Sequence, residues 1–402
     1  MSHMENLNDK QNEAAIHQDG PLLIVAGAGA GKTKTITHRI VNLIKNGIAP
    51  EKILAVTFTN KAAKEMRDRI LKAIGQNLPL ANFGPHEIPF ISTFHALGVY
   101  IIKENARTLG LTRYFSILDE GQAITIIKDI IKDNLNLDPK KYAPRAIRSI
   151  ISKEKGKFVT LDEFTKTVSE EYYFYKIVIQ VWSLYEKQKT KENVVDFDDL
   201  LLKTTELLKN NEVARKYYQN KWKYIHIDEY QDTNTVQYLM AHLLAGDNKN
   251  ICVVGDPDQC IYSWRSADLK NILNFQKNYP ETQIVLLEEN YRSTQNILAA
   301  ANEIIKKNKY RADKNLFTNN LAGEKLSVYE AMDENDEADF VARKILEIWK
   351  SELCKPRSEV SKSDLSVLGK SDLHTSDPHI SIAILYRANF QSRALEEAML
   401  RY

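Results

Sequence analysis

Three short stretches of this chain combine residue types that point to phosphate chemistry. In "AGAGAGKT" (26–33) glycines precede a lysine and a hydroxyl. Glycines let successive backbone N–H groups converge on phosphate oxygens, and a helix beginning there adds partial positive charge. Ala28, Gly29, Ala30 and Gly31 are the expected cradle, Lys32 reaches the terminal phosphates, and Thr33 offers its hydroxyl to Mg²⁺. Ala26 stands where the general pattern has its first glycine. Phosphoryl transfer also needs an acid on the metal and a group that positions water. "YIHIDEYQD" (224–232) offers Asp228 for the first task and Glu229 for the second. The plainer alternative is an acidic turn that only favours the next helix N-terminus. "GDPDQCIYSWRS" (255–266) is mixed. Its acids and amide suit a charged ligand, whereas Tyr262, Trp264 and Arg265 suit something flat.

Sequence-independent binding of a single nucleic-acid strand uses aromatic platforms and donors for the phosphate backbone. Phe58, Thr59 and Asn60 follow one strand-like run, and Phe94 and His95 follow another. Stacking contributes ~1–3 kcal/mol per base, so a few such rings are enough. For any single ring a core position is the plainer reading. Phe197 is read as core, and "YYFY" (172–175) as packing within a helical region.

These residues need elements to hold them. "LLIVA" (22–26), "ILAVTFT" (53–59), "PFIST" (89–93), "YIHI" (224–227) and "ICVVG" (251–255) read as buried strands alternating with helices. That pattern means α/β architecture around a parallel sheet. A helix is expected from Lys32 to Lys45, and another in "NKAAKEMRDRIL" with Asn60 as N-cap, an Ala62, Met66 and Ile70 stripe and a Glu65–Arg69 pair. "TVQYLMAHLLA" places apolar residues at 236, 239, 240, 243 and 244. Residues 99–191 lack strand-like runs and read as an all-helical domain inserted into the core formed by 1–98 and 192–286. Further runs at 283–287, 325–331 and 380–387 suggest a second α/β unit over 287–402. Within it, the Ser-, Lys- and Asp-rich stretch 351–379, with "KSDL" twice, reads as a mobile surface insertion.

The formal charge is +2, from 55 basic and 53 acidic residues, so any nucleic-acid contact must come from local patches. Cys252, Cys260 and Cys354 lack metal-ligand spacing, and an odd count in no framework points to a reducing, cytoplasmic setting. No apolar run reaches the ~18 residues of a membrane span. "MSHM" lacks an apolar signal region and reads as a tag remnant before Met4. "RALEEAMLRY" ends inside an amphipathic helix without a cap, which suggests a piece of a longer protein.

In their order these motifs resemble the UvrD/Rep group of superfamily 1 DNA helicases, over essentially the whole chain. "LNDKQNEAA" is similar to the family's Q motif, which implies that Gln11 reads the adenine edge. Lys34 stands where the family usually has a nucleotide-contacting arginine. "AVTFTNKAAKEM" and "STFHALG" resemble its two DNA-facing motifs, "VVDFDDLL" the return from the inserted domain, and "IDEYQD" the metal and catalytic acids. "GDPDQCIYSWRSAD" resembles the third motif, with Gln259 toward the γ-phosphate and Trp264 toward a base; Cys260 and Ser266 replace the usual Ser and Gly. "LEENYRSTQNIL" resembles the fourth, which implies that Arg292 reaches the γ-phosphate and Tyr291 packs on adenine. "AILYRANFQSRALEEAM" resembles the segment before a second inserted domain. Two later family motifs, one DNA-facing and one carrying a second cleft arginine, do not occur in the sequence.

The resemblance implies a RecA-like core with its helical insertion, part of a second such core, and ATP-driven 3′–5′ movement on DNA. ATP and Mg²⁺ are the implied cofactors. The implied partners are single-stranded DNA, single-strand/duplex junctions, and repair or replication proteins, with no membrane. Two alternatives stay open: a nucleotide- and DNA-binding module without turnover, and the front half of a helicase–nuclease subunit. The fourth motif and the paired cores exclude a small-molecule kinase.

Overall fold

Runs of β-branched and aliphatic residues too short for helices form the strands. A computed structural model describes residues 7–74, 88–169, 172–263, 266–308, 314–353 and 381–402. The strands are β1 (Leu22–Ala26), β2 (Ile53–Thr57), β3 (Phe90–Thr93), β4 (Ser116–Leu118), β5 (Val194–Asp196), β6 (Tyr224–Ile227), β7 (Ile251–Gly255) and β8 (Gln283–Leu287). β4 and β5 form a separate parallel pair. The other six make one parallel sheet in the order β3-β2-β6-β7-β1-β8. Its inner strands are covered on both faces, which is why they read as unbroken apolar runs. Alternate residues serve opposite cores. Leu23, Val25, Leu54, Val56, Ile225, Ile227, Ile251 and Val253 face one way; Leu22, Ile24, Ala26, Ile53, Ala55, Cys252 and Val254 face the other.

Helices α1 (Asp9–Ile16), α2 (Lys32–Lys45) and α3 (Asn60–Ala73) cover the second face with Ala14, Ile36, Ile40, Met66 and Ile70. The N-cap of α3 is Thr59, not Asn60: its hydroxyl accepts the Ala62 N–H at 3.1 Å. With the start so placed, Ala63 replaces Ala62 in the buried stripe. Helix α4 (Phe94–Glu104) lies on the first face through Phe94, Leu97 and Ile101. Next come α5 (Glu120–Asp129), α6 (Pro144–Gly156), α7 (Leu161–Thr167) and α8 (Tyr173–Glu192). They enclose their own core, including Ile127, Ile147, Ile151, Phe164, Trp182 and Tyr185. Helices α9 (Phe197–Asn210), α10 (Glu212–Lys221) and α11 (Thr235–Ala245) return to the first face. The buried stripe of α11 keeps the expected Val236, Met240 and Leu244, with Gln237, Ala241 and Ala245 buried in place of 239 and 243. Short helices α12 (Lys270–Leu273) and α13 (Phe275–Asn278) lead into β8, and α14 (Gln295–Ile305) follows it.

The chain divides into two compact units, Met1–Glu324 and Lys325–Tyr402. In the second, α15 (Glu334–Leu353) and α16 (Ser392–Arg401) pack through Ala338, Ala342 and Ala398. The strands expected at 325–331 and 380–387 do not form among the described residues. A strand exists only through its ladder, and these runs have no partner there; Val328 and Leu385 are 97% and 94% exposed. The first residues of the stretch expected to be a mobile insertion, 351–353, are helical, and the rest of it lies outside the described residues.

Candidate nucleotide site and nucleic-acid face

Most of the motifs singled out from the sequence begin where a strand of the parallel sheet ends. The glycine-rich loop follows β1, Phe58 follows β2, Phe94 follows β3, Asp228 follows β6, Asp256 follows β7, and the segment leading to Arg292 follows β8. In a parallel sheet these ends share one edge, where open α/β sheets bind ligands.

After β1 the chain turns through Gly29 (φ +68°) and Gly31 (φ +83°), and Gly31 is the N-cap of α2. A Cβ on Gly31 would lie 2.7 Å from Gln11 Nε2, and one on Gly29 2.7 Å from Arg292 Cβ. Both backbone angle and space therefore demand glycine. Gln11 is fully buried beneath this loop. It completes a capping box with Asn8 and donates Nε2 to the Ala30 carbonyl at 3.0 Å, so here it braces the phosphate loop. Ala30 is buried, Ala28 is exposed, and Lys34 is half-buried on the first turn of α2.

Three strand ends converge on Lys32. Its Nζ lies 3.1 Å from Gln259 Oε1 and 3.2 Å from Glu229 Oε2. Beside it Thr33 Oγ1 donates to Asp228 Oδ2 at 3.0 Å. Burial, reinforced by Glu229, pushes the Asp228 carboxyl up to about 6, and the same two causes bring Asp232 to about 6. Three carboxylates around one ammonium leave the site short of positive charge. The Thr33 hydroxyl and Asp228 carboxylate are the oxygen donors a hard divalent cation takes.

Glu229 adopts φ +52°, rare for a residue with a side chain. Its N–H donates to Asp228 Oδ1 at 3.0 Å, and its carboxylate accepts from Gln231 Nε2 at 2.8 Å. Gln231 Oε1 in turn accepts the Asp256 N–H at 3.0 Å, joining the β6 and β7 loops. The segment after β8 packs on the phosphate loop. Asn290 Nδ2 donates to the Ala28 carbonyl at 2.6 Å and the Tyr291 N–H to the Gly29 carbonyl at 3.0 Å. Tyr291 is half-exposed, accepts from Asn8 Nδ2 at 2.8 Å and donates to Glu289 at 2.6 Å. The Arg292 side chain is exposed above Gly29.

On the β2 and β3 side the aromatics separate. Phe58 stacks on Tyr262 with ring centroids 5.3 Å apart, so the loops after β2 and β7 meet. His95 lies edge-on to Phe197 at 5.8 Å. Thr59 is occupied as a helix cap, and Asn60 is exposed. Phe94 is corrected: it is 4% exposed and packed with Leu97 and Ile101, so it has no face to offer a base. Phe197 is corrected in the other direction, 50% exposed where a core position was expected. Its spacing from Leu200 and Leu201 assigns it to the buried stripe of α9, but as the first residue of that helix it escapes cover. Of "YYFY", all four rings are likewise partly exposed, although Phe174 and Tyr175 contact Tyr142 and Phe164. Trp264 and Arg265 lie outside the described residues. Ser266 holds φ +64°, which accounts for the glycine usual at that place.

The sequence matches two family models: the UvrD/REP helicase N-terminal domain over residues 7–280 and the UvrD-like helicase C-terminal domain over residues 285–401. It is 43% identical over 399 residues to an ATP-dependent DNA helicase PcrA of Staphylococcus aureus, and 42% identical over 399 residues to one of Staphylococcus epidermidis. Each alignment covers 99% of this chain and 50% of the relative, so the chain spans about half the length of the curated relatives it matches.

Proposed function

Because the chain belongs to the UvrD/Rep helicase family, we propose that it binds ATP at the ends of β1, β6 and β7 and couples that site to one DNA strand crossing the ends of β2 and β3. The observation that carries the reading is the convergence of Glu229 and Gln259 on Lys32, within 3.2 Å and 3.1 Å. In this reading the chemistry is hydrolysis of ATP, used for 3′–5′ movement on single-stranded DNA and at its junctions with duplex, in repair or replication. On the same reading residues 1–98 with 192–286 are the first core domain, 99–191 its inserted domain, helical apart from the short strand β4, and 287–402 part of the second core, of which 287–324 belong to the same compact unit as the first.

Lys32 and the loop N–H groups hold the phosphates, Tyr291 and Gln11 flank the adenine, and Arg292, Lys34 and Gln259 act on the phosphate end. Glu229, held by its own backbone and by Gln231, orients the attacking water and takes its proton. Thr33 and Asp228 would hold Mg²⁺, which when bound neutralises phosphate charge. Phe58, Tyr262, His95, Phe197 and Trp264 are the stacking surfaces, and Thr59, Asn60 and Arg265 the backbone donors.

A second reading, ATP and DNA binding without turnover, is favoured by the missing arginine motif. ATP hydrolysis by the purified chain, with and without a single-stranded oligonucleotide, separates the two. If the chain turns over, Lys32→Ala is expected to abolish DNA-stimulated hydrolysis while nucleotide-free DNA binding persists. Turnover retained in that variant would sink the assignment of the phosphate site.

A further inference from the structure

Lys314 is a buried lysine outside every motif named so far. It lies beyond α14 with 2% of its surface exposed. Its ammonium forms ion pairs with Asp256 and, at 3.1 Å, with Asp258 Oδ2. Asn308, beyond the end of α14, reaches the same turn and donates Nδ2 to Asp258 Oδ1 at 3.0 Å. Asp256 joins this group to the nucleotide site. Its Oδ1 accepts the Asp258 N–H at 3.0 Å and its Oδ2 accepts from Gln259 Nε2 at 2.5 Å. Gln259 then presents Oε1 to Lys32 Nζ at 3.1 Å. An unbroken run of hydrogen bonds and ion pairs thus connects Lys314, Asp256, Gln259, Lys32 and Glu229.

The order of charges along that run has a consequence. A carboxamide can present either its oxygen or its nitrogen, and which one faces a ligand depends on what the other end bonds. Here Asp256 takes the Nε2 end, which leaves Oε1 facing the lysine of the phosphate loop. Both carboxylate oxygens of Asp256 are engaged in this way, and a carboxylate at 2% exposure calls for a buried cation beside it. Lys314 is that cation.

We propose that Lys314 is a positioning residue for γ-phosphate sensing: by pairing with Asp256 and holding it in place, it fixes the Gln259 amide so that Oε1 anchors Lys32 and the second Nε2 hydrogen is left for the terminal phosphate. The inference rests on the ATP reading above and extends it to a residue that touches no nucleotide. It makes Lys314 a determinant of discrimination between nucleoside triphosphate and diphosphate. The affinity for the part of the nucleotide common to both does not depend on it.

The test is calorimetric binding of ADP and of a non-hydrolysable ATP analogue, each with Mg²⁺, to the full chain. Removing Lys314 alone strands two buried carboxylates, so Lys314→Met is made together with Asp258→Asn, and Lys314→Arg serves as the conservative variant. Analogue affinity is expected to fall about tenfold in the double variant, the effect of one charge-assisted hydrogen bond, with ADP affinity held within about twofold. Lys314→Arg should fall between. Gln259→Ala should lose analogue affinity by a similar factor, and adding it to the double variant should cost little more, because both act through one amide. Parallel losses for ADP and analogue, an unchanged analogue affinity, or losses that multiply with Gln259→Ala would each overturn the proposal. An unmodified chain that binds neither nucleotide would overturn the ATP reading itself.

Discussion

Phe197 leaves half of its surface open beside the His95 imidazole, at the same sheet edge as the stacked Phe58 and Tyr262 rings. An aromatic that is neither buried nor hydrogen-bonded can be removed without opening a cavity, so its deletion should register in DNA binding. Phe197→Ala is expected to weaken single-stranded DNA by about 1–3 kcal/mol and leave unfolding by urea within about 0.5 kcal/mol. Phe94→Ala should do the reverse, costing about 3–5 kcal/mol of stability through a core cavity. Equal effects of the two variants on oligonucleotide affinity would refute the division. The pair also shows which part of the site could be read from residue order. Lys32, Thr33, Asp228 and Glu229 were legible because each must sit next to a strand end for chemical reasons. Phe94 and Phe197 both open helices, and periodicity predicts the contacts of a helix's middle better than those of its first turn.

At the scale of elements, the join of α6 and α8 to β5 and α9 is electrostatic. Lys155 from α6 and Lys189 from α8 are both about 2% exposed and lie against Asp196 of β5 and Asp199 of α9, with Lys155–Asp199 at 2.8 Å. Burial opposes ionisation of Asp199, yet Lys155 and Lys189 outweigh it and hold its carboxyl well below the usual aspartate range. Breaking a buried pair by removing one partner leaves the rest uncompensated, a cost of about 3–5 kcal/mol. Asp199→Ala should therefore destabilise by that order in urea, and Asp199→Ala with Lys189→Met by clearly less. A double variant as unstable as the sum of the singles would show that the lysine is not paired as described. Nothing in "VVDFDDLL" signals this arrangement, because the two lysines come from 7 to 44 residues away in sequence, Lys155 being the farther. The inner strands were legible for the opposite reason: a strand covered on both faces must be apolar throughout. The runs at 325–331 and 380–387 carry β-branched and aliphatic residues too, but composition does not provide a neighbouring strand.

For the molecule as a whole, one sheet has to stay intact for its loops to meet. β6 pairs with β2 and β7 and ends at the candidate acids. In the middle of it His226 lies between Ala55 and Cys252 in register, on the face covered by α2. Burial, with the Arg39 charge of α2 adding to it, pushes this imidazole down to about 3. An unfolded histidine titrates near 6.5. As pH falls below that value the unfolded chain takes up a proton that the folded chain refuses, so stability is lost on acidification until the folded value is reached. Each pH unit in that window costs about 1.4 kcal/mol, so His226 should account for about 2 kcal/mol between pH 6.5 and 5.0. Asp199 works in a lower window, since its depressed carboxyl loses its stabilising charge only below the ordinary aspartate range. Urea unfolding of the chain and of His226→Asn at pH 7.5, 6.5, 5.5 and 5.0 isolates the histidine. The variant should start less stable or equal at pH 7.5 and lose about 2 kcal/mol less on the way to pH 5.0. Identical slopes would mean that His226 takes up its proton within the fold, and that acid acts first elsewhere than the strand that carries Asp228 and Glu229.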